Sequence, residues 1–508
     1  MSIEETVLNP VRTSWRTRLA RFEVAEIFAL PEPPLWRRAA RAAAWTFALR
    51  ILEKALALIR TVVVARFLIP RDFGLFAVVV IAVSALELLN AHGLRAALIE
   101  KHDDSRRDLD TVWSVLLLQN CLNAALLLAL AHPIAMFFGD PAAVALIRSF
   151  AIVFLLEALV SIGTVHFEKR MLFHKQFAFL MSGALIDLAV ALAVAAVFHT
   201  VWALVAGAVA GKAARLLASY MLQDFRPRLR FKWLNLRHLF RLDGWMWIST
   251  VLWFVLAEGD SVFVGRVFGL TVLGIYAVAQ SLVSITRTDV AVMLQRLVFS
   301  SFSSNQDPAL VRAGYLKLLR GTALCVVPVS VGLAALAPEI TMVLLGYKWM
   351  MAIPVVSMLA LLGGLHVFLH NASTLLKGTG EQRQSIVAEI IFLTVAAALA
   401  VPLSGKLHLV GIALAMTLGA AAAWAWAERC VLMELNISFR EMVQAFESSI
   451  AATLVMLATI YLLRGWFREA TWLNLLAMIA GAGFMYLFTT AIAALSRRPM
   501  LKANSAAG

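Results

Sequence analysis

Charge is scarce in this chain: Asp, Glu, Lys and Arg make up 15% of its 508 residues, where soluble domains carry about 25%. Polar linkers are missing too, with no Pro/Gly/Ser-rich or low-complexity stretch to divide the length into soluble domains. Cysteine is nearly absent. Cys121, Cys325 and Cys430 lie in or beside apolar runs without metal-ligand or redox spacing, which excludes a disulfide scaffold and a zinc module. No P-loop, Gly-x-Ser-x-Gly elbow or zinc-protease motif occurs, so nucleotide hydrolysis and triad or metal hydrolysis have no residues to run on. Residues 1–41 mix Arg12, Arg16, Arg18, Arg21, Glu23 and Glu26 with prolines and contain no continuous apolar run, so no cleaved signal peptide is expected.

What is abundant is apolar: hydrophobic residues fill 61% of the chain. A bilayer core needs about 20 mainly apolar helical residues. Candidate runs fall at 43–67, 73–97, 110–136, 142–166, 176–198, 201–221, 243–265, 272–300, 318–337, 351–376, 384–404, 408–428, 447–464 and 471–495. The expected fold is therefore all-α, a polytopic membrane protein of about 14 transmembrane helices. Of the Lys and Arg outside these runs, 28 fall on one side and 5 on the other when the segments alternate. The positive-inside rule then places both termini in the cytoplasm. That bias and contacts with anionic membrane lipids account for the net charge of +14, so no nucleic-acid partner is implied. The Asn-Ile-Ser sequon at 436–438 falls on the inner side and is discounted.

The chain repeats itself at an offset of 200 residues. RTVVVARFLIPRDFGLFAVVVIAVSALE (60–87) aligns without a gap to DSVFVGRVFGLTVLGIYAVAQSLVSITR (260–287), with identities that include Val64/Val264, Arg66/Arg266, Gly74/Gly274 and Val78/Val278. Odd spans related to odd spans keep one membrane direction, so the repeat predicts two parallel six-helix lobes plus two C-terminal helices. The expected organisation is a basic cytoplasmic segment (1–42), an N-lobe (43–222) and a basic inter-lobe loop (223–242). A C-lobe (243–430), two further spans (431–496) and a cytoplasmic tail (497–508) follow. Such lobes suit a rocking transporter with its site between them near the midplane.

Charges at bilayer depth cost about 2.5–3.5 kcal/mol on insertion scales, so each is a candidate for function. Glu53, Arg60, Glu87, Asp187, Asp260 and Arg287 are the expected cavity residues, with no catalytic residue and no metal site. Arg50, Lys54, Arg95, Arg148, Glu157, Glu258 and Asp289 are lesser candidates, Arg50 and Lys54 being placed to snorkel or to pair within their own helix. Arginine in such a cavity suits an anion such as a pyrophosphate, whose oxygens match its fork of donors. In the repeat Arg60 aligns with Asp260 and Glu87 with Arg287, inverting the charges. These pairs are candidates for a gate across the lobes, the alternative being that each charge pairs within its own lobe. His366 and His370 are spaced i, i+4 but lack a third ligand, and are expected to be packed or sugar-facing. Trp245 and Trp247 read as interfacial belt residues, with sugar stacking a lesser option for Trp253.

ARFLIPRDFGLFAVV (65–79), DSVFVGRVFGLTVLGIYAVAQSL (260–282) and LLGYKWMMAIPVVSMLAL (344–361) together resemble the outer turns of the bacterial polysaccharide transporter family, the Wzx-type flippases of the MATE-like (MOP) superfamily. Ile69 and Arg71 stand where that family commonly has Gly and Glu. The resemblance implies a flippase carrying undecaprenyl-pyrophosphate-linked oligosaccharide across the bacterial inner membrane, for exopolysaccharide, capsule or O-antigen (lipopolysaccharide) biosynthesis. It also implies no cofactor beyond a coupling ion, proton or sodium. A polysaccharide polymerase and a chain-length regulator of the same pathway are the expected protein partners. A MATE-type cation-coupled multidrug exporter, a peptidoglycan-precursor flippase and a membrane glycan polymerase stay open as alternatives.

Overall fold

The computed structural model describes residues 35–88, 98, 106–170, 172–230, 244–287, 308–467 and 469–506. Among these every regular element is helical. Contacts divide the chain inside the first helix, into Met1–Trp45 and a second unit, Thr46–Gly508, that holds the remaining elements.

The first helix, α1 (Leu35–Phe67), contains neither Gly nor Pro and stops where Pro70 follows Ile69. A residue before proline is pushed out of the helical region, and Ile69 is extended at φ −90°, ψ 160°. Proline is tolerated in a first helical turn, so α2 (Pro70–Glu87) starts at once, with Asp72 accepting the Ile69 amide at 3.2 Å. The same corner is built differently in the second half. There α8 (Gly244–Phe268) ends at Gly269, whose φ of +82° suits glycine, and α9 (Leu270–Arg287) begins next. Positions 69 and 269 thus make equivalent turns by different chemistry.

Between these corners lie α3 (Arg106–Phe138), α4 (Ala142–Leu159), a 3-10 turn at Ile162–Thr164 and the short α5 (Val165–Lys169). The first half closes with α6 (Phe173–Phe198) and α7 (Trp202–Met221). The span expected at 142–166 is broken, because Val160 (ψ 134°) and Ser161 (ψ 126°) leave helical geometry and the Ser161 hydroxyl accepts the Gly163 amide. The spans expected at 73–97 and 272–300 are helical to 87 and 287, and 89–97 and 288–300 lie outside the described residues.

The second half continues with α10 (Pro308–Ala335), α11 (Ala337–Leu344), a 3-10 segment at Tyr347–Ala352, α12 (Ile353–Gly378) and α13 (Gln382–Glu434). A straight helix of 53 residues would be ~80 Å long, far beyond a bilayer. At His408 (φ 50°, ψ −129°) α13 instead folds back, and Gly411 packs against the Leu403 carbonyl. Its two arms cover the spans expected at 384–404 and 408–428. The chain ends with α14 (Phe439–Trp466) and α15 (Trp472–Ala506). Among the described residues eight helices are long and apolar enough to cross a membrane. The chain is a multi-pass helical membrane protein.

The core follows the seam between α2 and α9. The aligned Val64 of α1 and Val264 of α8, and Val78 of α2 and Val278 of α9, are all fully buried in this core. At the crossing Gly74 lies against the Leu270 carbonyl and Gly274 against the Pro70 carbonyl. Since 70 aligns with 270 and 74 with 274, the two contacts are copies of one another, and the repeat axis passes through this crossing. A Cβ at either glycine would overlap the opposing carbonyl. Small residues allow such backbone approach in membrane helices.

Candidate functional site

Inside the first half lies a cavity of about 760 Å³, bounded by α1, α2, α3, α4, α6 and α7. Its charged lining is balanced: Glu53, Glu87, Glu157 and Asp187 face Lys54, Arg60, Lys212 and Arg215. Arg60 Nη1 donates to Asp187 Oδ2 at 2.6 Å, Arg215 Nη2 to Glu53 Oε1 at 2.9 Å and Lys212 Nζ to Glu157 Oε2 at 2.7 Å. Gly183 leaves the space taken by the Arg215 side chain, and Gly207 and Gly211 leave that taken by Asp187. The pairing is incomplete, since Arg60 Nε and Asp187 Oδ1 are buried without a hydrogen-bond partner among the described residues. Trp113, Asn120, Phe150 and Phe154 belong to the neutral part of the lining.

Such a cavity holds charge in exchangeable form. An oxyanion with several oxygens can take over guanidinium donors that the carboxylates now occupy, because Arg forks bind phosphate and carboxylate alike.

Of the residues expected from sequence, Glu53, Arg60, Glu87 and Asp187 come together on this cavity, with Lys54 and Glu157 of the lesser candidates. Asp260 does not. It is buried on α8, where Tyr276 Oη and Gln280 Nε2 donate to Oδ2 at 2.7 and 3.2 Å and the Ser261 amide donates to Oδ1 at 2.7 Å. The cross-lobe pair Arg60–Asp260 is therefore not formed; Arg60 pairs with Asp187 within its own half. The Arg287 side chain lies outside the described residues, and the Glu87–Arg287 pair with it. Carboxylates and cations are equal in number on the lining of the cavity. Lys212 and Arg215 were missed by sequence reasoning, although two cations at i, i+3 in an otherwise apolar run are a legible signal. His366 packs against the Phe392 ring at 5.4 Å between centroids. No group of three or more His, Cys, Asp or Glu is placed to hold a metal ion among the described residues.

The end of the α2/α9 seam near the α1–α2 corner is tied across the two halves. Arg66 donates Nε to the Leu344 carbonyl at 3.0 Å and Nη2 to that of Val343, and so caps α11. In return Lys348 donates to the Arg66 and Leu68 carbonyls at 2.9 and 2.7 Å, and the buried Trp349 Nε1 to that of Ala65 at 3.1 Å. Arg266, the repeat partner of Arg66, lies over the Phe137 ring at the end of α3, 5.5 Å from its centroid. Each copy of this arginine thus reaches the end of a helix in the opposite half.

The model of a family described as "Polysaccharide biosynthesis protein" matches residues 63–354. The succinoglycan biosynthesis transport protein ExoT of Rhizobium meliloti (strain 1021) is 27% identical over 321 residues, 63% of this chain and 65% of that protein. The teichuronic acid biosynthesis protein TuaB of Bacillus subtilis (strain 168) is 26% identical over 297 residues, 57% of this chain and 61% of that protein. The chain thus matches somewhat less than two thirds of the length of these curated relatives. Among solved structures, the lipid II flippase MurJ in an inward closed conformation superposes with a TM-score of 0.71, covering 90% of this chain and 99% of that one at 13% identity. An inward-facing multidrug resistance MATE family transporter of the MOP superfamily gives 0.61, covering 76% and 96% at 15% identity. Identities this low carry the fold alone.

Proposed function

The chain belongs to the polysaccharide biosynthesis protein family, and from that premise we propose that it is a flippase for undecaprenyl-pyrophosphate-linked oligosaccharide repeat units, working in the bacterial inner membrane by alternating access between its two halves. The observation that carries this reading is the charge-balanced cavity and its incompletely satisfied Arg60–Asp187 pair. A pyrophosphate entering from the cytoplasmic leaflet takes guanidinium donors from the carboxylates. The neutral lining residues Trp113 and Asn120 suit the less charged remainder of the head group. The α2/α9 crossing and the Arg66 and Lys348 ties form the outer gate, closed in this state. Opening it separates the two halves along the seam, and the repeat gives that motion its symmetry. The N-lobe and C-lobe at 43–222 and 243–430 are the moving bodies, both termini are cytoplasmic, and a proton or sodium ion drives the cycle. A polymerase and a chain-length regulator receive the product. The similarity of ExoT, named a transport protein, and the fold of a lipid flippase support a transporter over a glycan polymerase.

The test is a deletion strain in which lipid-linked repeat units are extracted and their sidedness is measured. Accumulation in the inner leaflet is expected. Accumulation in the outer leaflet would make the protein a polymerase. Unchanged lipid-linked pools with loss of drug resistance would make it a multidrug exporter.

A further inference from the structure

Beside the break in α4 lies a second chamber of about 350 Å³, lined by α4, α5, α6 and α7. Glu157, Val160, Thr164 and Arg215 line both spaces, so the two adjoin. The chamber is small, near the lower end of the roughly 300–1,000 Å³ of small-molecule sites. Phe167 and Phe179, both buried, lie edge to face with 6.3 Å between ring centroids and form part of its apolar lining. Around them stand Glu157, Glu168, Gln176 and Arg215. The Gln176 amide, half-buried, makes no hydrogen bond to the described residues, and Glu168 lies exposed.

We propose that this chamber is a saccharide subsite, holding pyranose units of the lipid-linked ligand while its diphosphate occupies the charged cavity. The proposal rests on that reading of the cavity. Three classes of group could fill the chamber, and its chemistry separates them. A diphosphate is disfavoured, because the one cation of the chamber's described lining, Arg215, is already bound to Glu53 and its Glu157 to Lys212, which leaves the acidic Glu168 as the remaining charge of the lining. A prenyl chain is disfavoured because it would bury carboxylate, amide and guanidinium groups without hydrogen bonds. A pyranose fits on both counts. Its neighbouring hydroxyls each donate and accept, which matches side chains that present two adjacent polar atoms, namely carboxylate, amide and guanidinium. Its C–H face suits an aromatic lining, whose ring faces are electron-rich. Gln176 and Glu168 are then specificity residues for the sugar, and Arg215 links the subsite to the charged cavity.

The closing experiment measures binding of two probes to the full chain in lipid nanodiscs: undecaprenyl pyrophosphate, and the same lipid bearing a hexose disaccharide. In the wild-type protein the disaccharide-bearing lipid is expected to bind more tightly. Gln176→Leu and Glu168→Ala are each expected to weaken that lipid about tenfold, the loss of one buried or charge-assisted hydrogen bond, and to leave the sugar-free lipid unchanged. Glu168 is exposed, so its variant serves if Gln176→Leu does not fold. Equal wild-type affinity for the two lipids, or variants that lose both equally or neither, overturns the subsite and leaves the cavity standing. A wild-type protein that binds neither lipid overturns the cavity reading and the subsite with it.

Discussion

Asp187 and Arg60 hold one another across the cavity, each with a quarter or less of its side chain exposed. Removing one partner leaves a partly buried charge unpaired, which costs up to about 3–5 kcal/mol when burial is complete and less here because of screening. Arg60→Ala is expected to reduce polysaccharide export at least tenfold and to lower the melting temperature of the purified protein, and Arg60→Lys to recover only part of the export because lysine lacks the fork. The Arg60→Asp, Asp187→Arg double swap should export better than either single variant, since contacting residues couple. Full export by Arg60→Ala at normal protein levels would remove this pair from the mechanism. Both residues were legible in the sequence, because a lone charge in an apolar run stands out. Their partnership was not. An offset of 200 residues makes Arg60 and Asp260 equivalent in their halves, and equivalent positions touch only where they lie on the axis that relates the halves. Gly74 and Gly274 do, whereas Arg60 is turned toward α6.

At the scale of elements, the α2/α9 crossing depends on two missing methyl groups. Gly74→Ala, Gly274→Ala and the double variant are expected to force these helices apart, because the obstructing atoms are backbone carbonyls that no rotamer change can move. A cysteine placed at Ala77, now buried in the seam, should then react with a membrane-impermeant thiol reagent added from outside, at least tenfold faster than in the glycine background. Unchanged labelling would show that this crossing is not the outer gate. A second element-level expectation concerns α14, whose start is a capping box. Ser438 Oγ accepts the Glu441 amide at 3.3 Å, and Glu441 accepts the Ser438 amide at 2.9 Å and, on its two oxygens, Arg312 Nη2 at 2.7 and 2.8 Å. The Ser438 amide first, then Arg312, holds the Glu441 carboxyl below its usual range. A depressed folded value means that this stabilisation is present above the unfolded carboxylate pKa of about 4.3 and is lost as pH falls through the folded value. The melting-temperature difference between wild type and Glu441→Gln should therefore be constant above about pH 5 and shrink below it. A difference independent of pH would deny the carboxylate that role. The capping box is readable as Ser-x-x-Glu before an apolar run, while its closure by Arg312 is not, because 129 residues separate that pair.

For the whole molecule, the excess of 28 basic residues over 5 gives an expected topology that reporter fusions can check. Fusions within 223–241 and after Arg498 should report cytoplasm, and fusions near 137–141 and 465–470 should report periplasm. A periplasmic signal from 223–241 would break the two-lobe arrangement. The part of that loop at 223–230 is extended along α3, with the Arg228 amide donating to the buried Asp110 at 3.0 Å and the Arg230 amide to Ser114 Oγ at 2.9 Å. It is fixed to the first half through its backbone, which leaves the arginine heads at the surface.

By itself the sequence determined the solvent this chain lives in and the helical class, and it showed the duplication and six of the eight charged residues that line the cavity. Each of these follows from composition and from local rules: apolar runs of bilayer length, identities at a fixed offset, and isolated charges that lipid penalises. The tertiary structure alone decided which charges meet, where α4 breaks beside a side chamber, and how Arg66 and Lys348 tie the two halves at one end. Those outcomes depend on the rotation and crossing of helices about one another. Packing across more than a hundred residues of chain sets that geometry, so no window of sequence contains it.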